Sequence, residues 1–268
     1  MRVARRLISL LLLIGVAATL VSFYGWPQQW LGLQIGDLTR LVDRRSAASA
    51  SPEPLPAYTR AVVGKPWFQS YFTRLAFSDQ DGANSFTGIL TKWDKRRVRI
   101  DVLNDGGPGM DDYVRSLVRR LNRMQPATRF TVGEGAADIT IEYVSHTEYA
   151  RTLGAGSVGN CETRFYSAAP GIIEAAITID AGVLRTSAQR KPVVIHELTH
   201  ALGFKGHFRE PRYRTRSVLY YAASLTDWSQ NDRAAIRIMY SSSMKNGMNA
   251  SAARKALRRI PSKGEREG

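Results

Sequence analysis

Residues 193–208, VVIHELTHALGFKGHF, constrain this chain more than any other stretch, because three of its four histidines lie there with a glutamate among them. An α-helix turns once in 3.6 residues, so His196 and His200, four apart, stand one above the other on a single face. Two imidazoles so placed can share one tetrahedral Zn²⁺ at about 2.0–2.1 Å. Glu197 projects beside them, positioned to take a proton from a water on the metal rather than to bind the metal. Gly203 lets the helix end in a left-handed turn. The chain can fold back there and offer His207 as a third nitrogen. A chance HExxH on an ordinary buried helix would not call for that glycine and that histidine. A metal centre is therefore expected.

The rest of the composition sets bounds. At 268 residues, 44% apolar and 23% charged, the chain can bury a sizeable core in one large domain or two small ones. Its net charge of +15 is unevenly spread: residues 1–63 carry a surplus of +4, residues 64–243 of +6 and residues 244–268 of +5. That distribution favours a solvated tail and a membrane-flanking segment over a nucleic-acid groove. Zinc-finger spacing, an RNP-like aromatic motif and a phosphate-binding glycine loop are all missing, so nucleic acid is not the expected partner. The single cysteine, Cys161, cannot close an intrachain disulfide and leaves the redox compartment open.

Four segments are expected. Residues 1–25 are a signal anchor or a signal peptide: Arg2, Arg5 and Arg6 precede an apolar run from Leu7 to about Tyr24, and a span needs about 17–25 residues. The positive flank would hold the N-terminus in the cytoplasm and send the remainder outward. Val16-Ala17-Ala18 is a possible cleavage site, but cutting there leaves Leu20–Val21 and Phe23–Trp26 exposed, which favours the uncleaved anchor. Residues 26–63 form a juxtamembrane segment with Trp26 and Trp30, then a Ser/Ala/Pro linker around SAASASPEPLP. The folded domain spans residues 64–243, and residues 244–268 form a basic, disordered tail in which Ala250–Arg259 is a marginal helix.

Inside the domain, Val98, Ile100 and Val102 alternate with charged residues as a strand does. Residues 104–109 form a loop, and Asp111–Met124 reads as an amphipathic helix with Tyr113, Val114, Leu117, Val118, Leu121 and Met124 on one face. Strands are expected at Arg129–Val132, Asp138–Val144 and Ile172–Asp180, with a glycine-rich connection at Arg151–Phe165. His146 reads as a satisfied histidine rather than a ligand. Ser187 is the candidate cap of the histidine-bearing helix, with Pro192 in its first turn. Asp227 or Ser229 would cap a final helix carrying Ala234, Ala235, Ile238 and Met239.

That order of elements, with HELTHALGFKGH, resembles the metzincin metalloproteases and their HExxHxxGxxH motif. SVLYY at 217–221 is similar to their Met-turn, closest to the astacin and serralysin form that ends in tyrosine, and LTDWSQNDRAAIRIMY is similar to the helix that closes the matrixin and astacin domains. The likeness covers about residues 90–243. Two positions depart from the pattern. Gly206 stands where the family has its third ligand, putting His207 one residue late, with Glu210 as the substitute donor. Leu219 replaces the methionine, a change of similar volume.

The resemblance implies an α+β fold, a twisted mixed sheet with an active-site helix and a C-terminal helix. It implies peptide-bond hydrolysis outside the cytoplasm by a protein held to the membrane through its N-terminal segment, or secreted if that segment is cleaved. Zn²⁺ would be held by His196, His200 and His207, with Glu197 as general base. Tyr221, or its neighbour Tyr220, would stabilise the oxyanion or pack beneath the metal. The strand Ala175–Asp180 would be the open edge that pairs with a protein or peptide substrate. Cys161 is either a small buried hydrophobe or a latency thiolate. The alternative is a zinc-bearing but catalytically inactive binding module of the cell envelope.

Overall fold

The computed structural model describes residues 55–78, 88–133, 135–154, 156–166 and 169–260. The expected N-terminal membrane segment, most of the linker and the last eight residues lie outside them. Among the described residues no helix is long and apolar enough to cross a membrane.

In chain order the elements are α1 (Ala57–Val63), α2 (Pro66–Phe77), β1 (Arg97–Val102), α3 (Met110–Met124), β2 (Arg129–Val132), β3 (Ile139–Val144), α4 (His146–Leu153), β4 (Gly159–Tyr166), β5 (Ala169–Asp180), α5 (Ser187–Ala201), a 3-10 turn (Pro211–Tyr213), α6 (Gln230–Met239) and α7 (Ala250–Arg259). One five-stranded sheet runs in the order β2-β1-β3-β5-β4. Its first four strands are parallel, and β4 lies antiparallel to β5. The result is a mixed, mostly parallel sheet with helices, compatible with the expected α+β class.

Parallel neighbours require crossover connections, and α3 supplies the one between β1 and β2. Its predicted apolar stripe is buried along its whole length, opposite buried Val98, Ile100 and Phe130 of the strands. Ala175, Ile177 and Ile179 share one face of β5, as expected from a period of two, and all three are buried.

Three expectations need correction. The open edge of the sheet is β4, not Ala175–Asp180, because β5 is paired on both sides. The stretch read as a glycine-rich connection holds the end of α4 and most of β4. Its glycines concealed a polar strand whose register is set by pairing with β5, Cys161 opposite Ile177. The domain is also longer at both ends than 64–243. Val62 and Val63 of α1, and Phe68, Phe72, Leu75 and Ala76 of α2, belong to the core.

The C-terminal correction is larger. Residues 244–249 run beside residues 89–92, with Leu90 N donating to Met248 O at 2.7 Å and Gly247 N to Leu90 O at 2.9 Å. Lys92 Nζ donates to the carbonyls of Met239 and Met244 at 2.9 and 2.7 Å, closing the end of α6. Asn249 caps α7 by accepting from Ala252 N, and Ala253 and Leu257, four apart, sink into the core while Arg254, Lys255, Arg258 and Arg259 stay outside. The basic surplus is thus the solvated face of a docked helix. Deleting residues 244–268 should lower unfolding free energy by roughly 3–6 kcal/mol, from lost burial of Met244, Ala253 and Leu257. Urea denaturation of the truncated and full chains checks this; equal midpoints would restore the disordered tail.

Candidate metal centre

Helix α5 is started by Thr186, not Ser187: the Thr186 hydroxyl accepts from Gln189 N, and the Gln189 side chain accepts from Thr186 N, a reciprocal capping box. Pro192 therefore lies past the first turn, inside the helix. The far end is pinned by three side chains. Trp93 Nε1 donates to Ala201 O at 2.7 Å, Tyr240 Oη to Leu202 O at 3.0 Å, and Trp228 Nε1 to Thr199 Oγ1 at 2.9 Å. All three donors are buried, so the histidine face of α5 is held from behind.

Gly203 then turns the chain at φ +108°, and a Cβ there would collide with Thr91 O. Lys205 N and Gly206 N both donate to Leu75 O, at 2.7 and 2.9 Å, tying the returning loop to the end of α2. A Cβ on Gly206 would run into Arg74 O. This explains the one-residue shift of the third histidine. Position 206, where the metzincin motif would place a histidine, is pressed against backbone and has no room for a side chain, and His207 brings its imidazole to the cluster instead.

The three Nε2 atoms converge. His196 to His207 is 3.0 Å, His200 to His196 is 3.2 Å and His200 to His207 is 2.9 Å. Among the described residues these three are the group of side chains able to hold a metal ion. Backbone carbonyls fix the tautomers of two of them: His196 Nδ1 donates to Val218 O at 2.8 Å and His200 Nδ1 to Phe204 O at 2.6 Å. Both rings then turn bare Nε2 lone pairs toward each other, which is repulsive unless a cation lies between. Burial, reinforced by the neighbouring imidazoles, lowers the pKa of His196 to about 3 and holds His200 well below its ordinary value. Neutral rings are what a metal needs. A tetrahedral ion with bonds of about 2.0–2.1 Å separates its ligands by roughly 3.3 Å, so the set fits Zn²⁺ after a small outward adjustment.

Glu197 follows on the same helix, 7% exposed, and burial raises its pKa to about 8. Gly159 at the start of β4 makes space for it; a Cβ there would lie 2.7 Å from Glu197 Oε1 and inside the Val193 side chain. Tyr220 is buried in the core and Tyr221 is 60% exposed, their rings 4.9 Å apart. Tyr221 N donates to Phe208 O at 2.9 Å, so the turn 217–221 is laced to the residue after His207. Glu210, the substitute ligand, is instead ion-paired to Arg74 at 2.5 Å. Cys161 is outside the cluster, and burial drives its thiol pKa up, opposite to what a zinc-capping thiolate requires. His146 is paired through Nδ1 with Asp180 at 2.7 Å, the satisfied histidine expected.

Sequence reasoning missed Asp232. This buried carboxylate on α6 accepts from Tyr71 Oη at 2.6 Å, Ser217 Oγ at 2.9 Å, and Val218 N and Ser229 N at 3.0 Å each. Val218 is the residue whose carbonyl orients His196, so Asp232 supports that histidine through a single residue. Its signal in the sequence was its place three residues after Ser229, the acidic half of a capping box. Asp232→Asn should weaken zinc binding about 10–100-fold, as outer-shell changes commonly do. Competition against a chromophoric chelator measures it, and an unchanged affinity would remove Asp232 from the centre.

These features define a cluster of three histidines able to hold a metal ion on a mixed α/β fold. Residues 67–259 match the family described as "Protein of unknown function (DUF2927)", and the chain belongs to that family. No curated protein matches. Among solved structures, one titled "Structure of myroilysin" is similar over 60% of this chain and 90% of that one, at 10% identity and a TM-score of 0.28. Such a likeness carries no weight on the site.

Proposed function

We propose that this protein is a metzincin-like, zinc-dependent endopeptidase, cleaving peptide bonds outside the cytoplasm from an N-terminal membrane segment. The observation that carries the reading is the convergence of three imidazole nitrogens within 2.9–3.2 Å, with a buried carboxylate one residue from the first of these histidines. His196, His200 and His207 would hold the ion. Bound zinc supplies Lewis acidity toward a carbonyl and makes water acidic near neutral pH.

Glu197 would take the proton of the attacking water and give it to the leaving amine, a role for which its place next to His196 on the same helix suits it. The exposed phenol of Tyr221 is available to donate to the oxygen on which charge develops. The outer edge of β4 offers main-chain donors and acceptors to an extended polypeptide. Polypeptide is the substrate class that this reading implies.

The test uses the full chain. Elemental analysis should find one zinc, and casein should be cleaved. A strong chelator should abolish cleavage, and stoichiometric Zn²⁺ should restore it. One zinc without cleavage of casein or of a mixed protein digest would favour the inactive binding module. Absence of zinc would end both readings.

A further inference from the structure

The basic stretch 209–216, REPRYRTR, is not used by the chemistry above. Its arginines at 212, 214 and 216 are exposed, and two of them line an open groove of about 660 Å³. The groove lies between the start of α2, the 3-10 turn and the start of α6. Trp67, 48% exposed, and Tyr58, 36% exposed, supply its aromatic walls, and Arg212 and Arg216 its charge. Tyr58 Oη donates to Asn231 Oδ1 at 2.5 Å, which holds the Asn231 amide on the wall with its N–H groups as donors. Among the described residues no carboxylate lines the groove. Asp232 lies behind it, engaged by Tyr71, Ser217, Val218 and Ser229, and Glu210 is engaged by Arg74.

We propose that this groove binds an acidic, aromatic-bearing peptide segment and serves as a remote docking site for protein substrates. Guanidinium groups recognise carboxylates through paired charge-assisted hydrogen bonds, and exposed indole and phenol faces take aromatic or aliphatic side chains. A polar wall of amides suits a peptide backbone. The groove is joined to the metal centre by packed side chains rather than by open space. Tyr213 lines it, and its ring stacks at 3.9 Å on Phe208, the residue after His207. A polypeptide held there by acidic residues stays tethered to the protein, so that binding far from the scissile bond raises the local concentration of its other segments at the histidines and favours cleavage. The role as a substrate site rests on the peptidase reading; the binding itself does not.

The experiment is therefore a binding measurement on the full-length Glu197→Gln variant, which removes turnover. The probe is a fluorescent peptide of paired glutamates separated by glycine and phenylalanine, beside a counterpart with every glutamate replaced by glutamine. Anisotropy should show the acidic peptide binding roughly tenfold tighter or more, with most of that advantage lost by about 0.5 M salt. The Arg212→Glu/Arg216→Glu double variant should abolish the preference, and Trp67→Ala should weaken both peptides about three- to tenfold. These side chains are exposed, so thermal melts should match the parent. Equal binding of the two peptides, or acidic-peptide binding that survives the double arginine variant, would overturn the proposal. So would a sulfated polysaccharide that displaces the peptide and binds these arginines more tightly than it. If the peptide binds as expected and casein is never cleaved, the docking site stands and the peptidase reading falls.

Discussion

Glu197→Gln should leave one zinc per chain while lowering casein cleavage roughly 10²–10⁴-fold, the range that a positioned general base commonly contributes. The amide keeps the size of the side chain that Gly159 accommodates, so the change removes a proton acceptor and little else. A second readout follows from burial. A carboxyl whose pKa is raised from 4.5 to about 8 on folding binds more protons in the native than in the unfolded state between those values. Its contribution to stability is therefore most favourable below about 4.5 and is lost as pH rises toward about 8. In metal-free protein the glutamine variant should melt higher than the parent at pH 8, by roughly 1–3 kcal/mol in stability, and the gap should close toward pH 4.5. Differential scanning calorimetry across that range checks the sign. A variant that cleaves casein at the parent's rate would remove Glu197 from the chemistry.

Gly203→Ala should be the most damaging single methyl group in the domain. The backbone there sits at φ +108°, where an L side chain is strained, and the added Cβ would meet the carbonyl of Thr91, which is backbone and cannot rotate away. Strain and overpacking together should cost roughly 3–5 kcal/mol, a large part of the stability of an ordinary domain. Because Gly203 starts the return that brings His207 to His196 and His200, zinc affinity should fall with stability. Gly206→Ala should share the metal defect with a smaller loss of stability, since its φ is not positive. Gly64→Ala is the control: its φ is −81° and nothing lies within 4 Å of the added atom, so its midpoint should stay near the parent's. Denaturant midpoints and zinc titrations of the three variants decide the matter. A Gly203→Ala protein that folds and binds zinc as the parent does would show that the turn is not what places His207.

The histidine-bearing helix was legible because its chemistry is written in fixed local spacing. The stripe on α3 and the alternation on β1, β3 and β5 were legible because each of these elements buries one face. What escaped depends on partners distant in sequence. β4 is polar and follows a glycine-rich stretch, and only its pairing with β5 makes it a strand. α1 lies where proline and small residues suggest a linker, and α7 where positive charge suggests a tail. Yet Val62–Val63 and the pair Ala253/Leu257 are core residues. The asparagine cap and the spacing of four at Ala253 and Leu257 were visible signals, outweighed by net charge. Asp232 was hidden for the same reason: its four donors come from α2, the turn at 217–218 and its own cap.

The return loop of the metal centre has a consequence for the order of events in synthesis. Arg74 meets Glu210 across 136 residues of chain, and Tyr71 meets Asp232 across 161. The third ligand and the support of the first thus depend on joining the earliest described helices to the last third of the chain. Closing so long a loop is an entropic cost met only when both ends are present. A chain still emerging from a ribosome or a membrane channel carries HELTH 30 residues before it reaches α6, and over that interval possesses the motif without the site. On the peptidase reading, topology would withhold cleavage until the last elements arrive.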